Sequence, residues 1–176
     1  MGRFSEATES AKIVLLCIFA AVVYGILHDQ ITARICIEYF TVFHPPMFAT
    51  QSPTLQGLGW GIIATWWAGA IVGILLRTAA RSGPRNKMTV QQLFPFVVRL
   101  MIAMAFCAVV SGAIGYLWGT VPLDVAEILP LGLQRRFLFD WWTHTASYAS
   151  GFIGGLILCI VIWIKRHRGA RPAIAS

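Results

Sequence analysis

Charge is scarce in this chain. Only 12% of its 176 residues are Asp, Glu, Lys or Arg, where a soluble domain carries about 25%. Hydrophobic residues make up 57%. Together these exclude an ordinary soluble domain and point to one integral membrane domain over residues 1–176. Acids are the scarcer sign, 7 against 14 Lys and Arg, for a net charge of +7. The basic residues gather at the ends of apolar runs. The excess therefore speaks for membrane topology and contact with anionic lipid, and against nucleic acid. There is no C-x-x-C. Cys17, Cys107 and Cys159 lie within apolar runs, and Cys36 has no partner in its own polar gap. A disulfide framework is thereby excluded, and a thiol-oxidising role is argued against. No H-E-x-x-H, phosphate loop, cofactor fingerprint or Ser/Cys nucleophile motif occurs, so no particular reaction is written in the sequence. A cleaved signal peptide is also argued against. The leading segment balances Glu6 and Glu9 against Arg3 and Lys12, and Leu27-His28-Asp29-Gln30 follows where small residues would stand.

What the chain does have is four apolar runs, about 11–27, 57–76, 95–118 and 142–164. Each is close to the ~20 residues that cross a hydrocarbon core as a helix. The expected fold is all-α, a four-helix transmembrane bundle. Orientation follows from Lys and Arg. The loop after the second run carries Arg77, Arg81, Arg85 and Lys87 without an acid, and the C-terminal tail carries Lys165, Arg166, Arg168 and Arg171 without an acid. The other two loops mix Arg34, Arg135 and Arg136 with Asp29, Glu38, Asp124, Glu127 and Asp140. Both termini are expected in the cytoplasm, in a bacterial inner membrane, with the mixed loops outside.

Lipid gives helices no hydrophobic reason to associate, so close packing must come from small residues. Gly69-x-x-x-Gly73, Ser111-x-x-x-Gly115 and Gly151-x-x-x-Gly155 supply them in three runs. At about 100° per residue, Asp140, His144, Ser147, Gly151, Gly154 and Gly155 share one face of the last run. Asp140 and His144 are thus expected to point into the bundle, adjacent at i and i+4. Cys17, Ala21, Tyr24 and His28 share a face of the first run if its helix continues that far. Trp66 and Trp67 fall mid-run, where an interfacial belt is ruled out, and core packing is expected for them ahead of a platform for a quinone or haem.

The gap from His28 to Pro46 is the chemically dense part. Strict alternation from Ile31 to Tyr39 suits an extended strand-like segment. An interfacial helix suits it too, and the alternation leaves both open. His28, Asp29, Arg34, Glu38, Tyr39 and Asp140 are candidate ligand-binding residues. His28, Glu38, His44 and His144 are candidate ligands for a transition metal such as zinc, copper or iron. Against this stands a polar plug without a ligand, closed by Arg34 with Glu38 or with Asp29. Ionisable groups at a bilayer boundary are costly, and this favours function over chance.

The string H-D-Q-x-T-x-R-x-x-x-E-Y-F-T-x-x-H-P-P from His28, with S-P-T-L and G-W-G-I-I-A-T-W-W after it, resembles a family of small bacterial integral membrane proteins without assigned function. The resemblance covers about residues 24–75 and implies a bacterial membrane location, with no activity, cofactor or catalytic residue attached.

Three functions are in play. A binding or accessory protein would use the outer polar cluster to hold a ligand, a lipid headgroup, a metal or a partner, whether another membrane protein or a second copy. An enzyme would use His144 as base or ligand, oriented by Asp140. A transporter or channel would need a relay at mid-depth, and the runs hold no acid or histidine there.

Overall fold

Each apolar run becomes helical over a stretch longer than the run itself, in one piece for the first, third and fourth and in two for the second. The structure is a computed structural model that describes residues 3–168; Arg171 lies outside the described residues. Seven helices form among the described residues: α1 (Arg3–Ile35), α2 (Ile37–Thr41), α3 (Pro53–Ile63), α4 (Trp66–Arg81), α5 (Val90–Trp118), α6 (Leu123–Ile128) and α7 (Leu131–Arg168). No strand occurs among the described residues. Among the described residues, four helical stretches, Phe4–Ile35, Pro53–Arg81, Val90–Trp118 and Leu131–Arg168, are long and apolar enough to cross a membrane. This is the architecture of a multi-pass membrane protein.

The extra length decides where the polar residues sit. α1 runs to Ile35, two turns past the end of its apolar run, and α2 follows after a break at Cys36. The segment is therefore helical where the alternation also admitted a strand. Its buried residues show why: Asp29, Thr32, Cys36 and Phe40 fall at steps of three or four, with Ala33 four after Asp29, the helical period. α7 starts at Leu131, well before the apolar run. Asp140 and His144 therefore lie inside a helix, not at its mouth. α5 starts at Val90, ahead of the run's Pro95, because the Thr89 side chain and Gln92 form a reciprocal cap.

The second span is broken. α3 ends at Ile63 and α4 begins at Trp66. The chain between them stays hydrogen-bonded: Ala64 N donates to the Trp60 carbonyl and Thr65 N to that of Ile62. The Tyr148 hydroxyl donates to the Ala64 carbonyl at 3.0 Å. An interruption at membrane depth is tolerated where protein groups satisfy the backbone in this way. α3 meets α1 backbone to backbone. A Cβ on Gly61 would lie 2.5 Å from Ile26 N, and one on Gly25 2.5 Å from the Gly61 carbonyl. Glycine at both positions allows that approach, and the same contact line runs up to Gly57 beside the Asp29 backbone.

The four spans close into a ring, α1 beside α4, α4 beside α7, α7 beside α5, and α5 beside α1. Two packed cores result. One, toward the basic end, holds Ile13, Cys17, Leu76, Leu93, Leu158 and Ile162. The other, toward the histidine end, joins Ala33, Cys36, Tyr39 and Phe40 to Val125 and Leu129 near α6 and Phe137 of α7. Trp66 and Trp67, expected in the core, are half exposed instead, with Trp67 stacked 6.4 Å from Tyr148. They follow the break in the span, and it turns them outward.

Candidate functional site

The structure brings His28 and Asp29 of α1 to His144 of α7. Their ligand atoms lie within 4.8 Å of one another. The meeting of these two helices is fixed one turn deeper, where the Tyr24 hydroxyl and Ser147 hydroxyl hydrogen-bond at 2.8 Å.

His144 is oriented at both nitrogens. Its Nδ1 is 2.7 Å from the Asp140 backbone carbonyl. A carbonyl can only accept, so Nδ1 carries a proton. Its Nε2 is 3.2 Å from Asp29 Oδ1. That contact needs one further proton, held on the imidazole as an ion pair or on the carboxyl as a neutral pair. Either way the pair has zero net charge. The partner expected to orient His144 was the Asp140 carboxylate. The structure gives that role to Asp29, and Asp140 contributes its main chain.

The Asp140 side chain is fully buried, and neither carboxylate oxygen has a hydrogen-bond partner among the described residues. Its charged neighbours are acids, Asp29 and Glu38. His28 Nε2 is also buried without a partner. The His28 ring stands edge-on to His144 at 4.6 Å and stacks on Tyr24 at 5.6 Å. Buried polar atoms are ordinarily satisfied, and each exception needs a reason. Among the described residues the exceptions at the α1–α7 contact are His28 and Asp140; one other, Gln56 Oε1, lies at the start of α3, outside this group.

An aromatic wall flanks the cluster. Tyr39 stacks on His144 at 4.5 Å, and His44 packs on Tyr39 at 4.7 Å and on Trp60 at 4.9 Å. His44 Nδ1 donates to the Tyr39 carbonyl at 2.7 Å, which leaves its Nε2 as the acceptor nitrogen. Burial pulls the His44 pKa below its ordinary value, partly opposed by that hydrogen bond. Burial pushes the Tyr39 phenol up, with the Asp140 carboxyl adding to it. Burial likewise pushes the Cys36 thiol up to about 12, so it is unreactive as a nucleophile.

Two expected members stand elsewhere. The Arg34 guanidinium is exposed and donates to the Gln30 carbonyl, the Gln30 side chain and the Thr54 hydroxyl. The Arg34 ion pairs that would have closed a plug, with Glu38 or with Asp29, are not among the described contacts. Glu38 accepts from the Cys36 thiol at 3.5 Å and is no part of the His28–Asp29–His144 group. The metal-ligand set His28, Glu38, His44 and His144 is thus not assembled as such. His28 and His144 meet with Asp29, and His44 stands behind Tyr39. The reason is helical continuity through residue 35, which aims Asp29 inward and Arg34 outward.

The cluster heads a cavity of about 120 Å³ between the four spans. Tyr24, Ser147 and Tyr148 line its upper part, and Cys17, Val97 and Leu158 its floor. Tyr148 was not foreseen; a tyrosine beside a predicted inward serine was its only signal. Comparison with family models, with curated proteins and with solved structures finds no match for this chain.

Proposed function

We propose that this chain is a membrane binding protein that takes its ligand at His28, Asp29 and His144, at the head of the interhelical cavity. The observation that carries the reading is the buried, unpartnered Nε2 of His28, facing a proton-sharing Asp29–His144 pair. A polar plug built for stability would satisfy such an atom. A binding site keeps it for something that arrives.

The reading includes topology and setting. The basic loops set both termini in the cytoplasm and the cluster at the outer face of a bacterial inner membrane. Membrane lipid is the constant partner, and the chain falls with the small bacterial membrane proteins that its His28–Pro46 string resembles.

One test needs no knowledge of the ligand. In purified, delipidated protein, His28→Leu is expected to leave the unfolding midpoint unchanged or to raise it. A fall of several degrees would make His28 a structural residue and end the reading.

A second reading is favoured by one observation. Two imidazoles and a carboxylate converge, and His144 Nδ1–H is held by a backbone carbonyl, as metal-bound histidines are. In this reading one zinc ion is held by His28, Asp29 and His144, with a fourth position open to the cavity, as enzymes arrange it. Zinc titration of metal-free protein would then give one ion per chain, lost in His28→Leu and retained in Glu38→Gln. No saturable zinc binding removes it.

A further inference from the structure

The cavity below the cluster has a shape and a polarity that name a class of ligand, and this inference rests on the reading of His28, Asp29 and His144 as a binding site. From His28 to Cys17 the α1 wall is eleven residues long, roughly 16 Å at 1.5 Å per residue. Along that length the character changes once. The top is polar and aromatic, with His28, Asp29, His144, Tyr39 and Trp60; below Tyr24 and Ser147 the wall is apolar down to Leu158. A space that is polar at one end and apolar along the rest matches an amphiphile lying along the bundle axis.

Charge narrows the head. Among the described residues no Lys or Arg lines the cavity. The Asp29–His144 pair is neutral whichever group holds its proton, and the next ionisable side chain along α7 is the acid Asp140. A phosphate or carboxylate head would meet no permanent cation, only the imidazoles of His28 and His44, whose charged forms burial disfavours, and burying an unpaired charge is prohibitive. The head is therefore uncharged. It must also bring oxygen: His28 Nε2 can meet a hydroxyl or a carbonyl, and the second oxygen of Asp29 can accept a hydroxyl proton. The wall around it is made of rings, with Tyr39, Phe40, His44 and Trp60 at the head end. Such a wall favours a planar ring by offset or edge contacts at 4.5–7 Å, worth about 0.5–1.5 kcal/mol each.

We propose that the cavity binds a neutral, single-tailed lipid with a planar oxygen-bearing ring as its head, that is, a long-chain quinol or quinone, with the ring at His28 and the tail running between the spans toward Cys17 and Leu158. The broken second span fits this role. The interruption at Ala64–Thr65 puts Ala64 and Ala68 on the cavity wall, and their small side chains narrow it little, while Thr65 and Gly69 pack on α1.

The test is native mass spectrometry of the full-length protein in detergent, with a decyl-substituted benzoquinol and with the same head lacking the tail. Wild type is expected to take up one decyl probe per chain. Ala68→Phe, which fills the tail path, should abolish decyl binding and leave the tail-less head bound; Met101→Trp does the same from the α5 wall should Ala68→Phe fail to fold. His28→Leu should lose both probes. Tail-less binding that needs His28, together with decyl binding untouched by either filled-cavity variant, would overturn the tail placement alone. Equal uptake of dodecanol, or of dodecanoate, would overturn the ring or the neutral head. Probe binding indifferent to His28 would overturn the site reading along with this one.

Discussion

The two ends of the bundle treat buried polar groups in opposite ways. At the basic end, Arg166 is only 6% exposed, yet each of its three guanidinium nitrogens is engaged. It donates to the backbone carbonyls of Asn86, Ala79, Ser82 and Arg85 at 2.7–3.3 Å. Nearby Arg81 donates to the Met88 carbonyl, and Lys87 pairs with Glu6. This is a knot that ties α7 to the turn between α4 and α5. At the histidine end, Asp140 is more deeply buried than Arg166, its nearby backbone donor, the Cys36 N–H, is already bonded to the Thr32 carbonyl, and His28 Nε2 has no partner among the described residues. Buried polarity by itself therefore says little about purpose. The completeness of its hydrogen bonding separates a lock from a receptor.

Breaking the lock should have the largest effect. Arg166→Leu strands four carbonyls at once and should cost about 2–3 kcal/mol, seen as a lower unfolding midpoint in detergent with probe binding at the other end retained. If binding falls with stability, the two ends are not independent. Next comes the seam that holds α3 on α1. Gly61→Ala drives a methyl into the Ile26 backbone, a steric cost of about 1–3 kcal/mol. It should also shift Asp29 and weaken binding, so stability and affinity should fall together. A stable, fully binding variant would show that the α1–α3 seam does not place Asp29.

The receptor end should respond with the opposite sign. Asp140→Asn removes a carboxylate whose nearby backbone donor, the Cys36 N–H, is already bonded to the Thr32 carbonyl, and is expected to raise stability by up to about 1 kcal/mol. A clear loss would show that Asp140 is satisfied within the fold. The smallest effect belongs to His44. Its folded pKa lies below the ordinary value of 6.5, chiefly through burial. The unfolded chain therefore takes up the proton first. Stability should be intact above that ordinary value and decline as the pH falls through the window beneath it. His44→Gln should flatten the decline over that window, read as unfolding midpoint against pH.

Much of this was legible in the sequence, for identifiable reasons. The four spans follow from long apolar runs, which a bilayer requires of any helix that crosses it. The inward face of α7 could be read because glycines and polar residues repeat at the helical period on it, and Asp140 and Ser147 are buried as that period demands. Helix ends were less legible. α1 and α7 extend well beyond their apolar runs because polar residues at an interface propagate a helix as readily as apolar ones. That extension decides the membership of the site: it turns Asp29 inward and Arg34 outward. The break at Ala64–Thr65 carries no proline, and the tertiary bond from Tyr148 that accompanies it cannot be seen in a local window. The pairing of His144 with Asp29, not with the Asp140 carboxylate, is likewise a contact between distant segments.

The central claim is that His28 Nε2 is kept unpartnered for a ligand. An experimental structure of the protein extracted with its native lipid tests it most directly. The expected result is non-protein density within hydrogen-bond distance of His28 Nε2, continuous with density in the cavity between Tyr24 and Cys17. A His28 ring bonded through Nε2 to another protein side chain, over a cavity closed by its own walls, would contradict it.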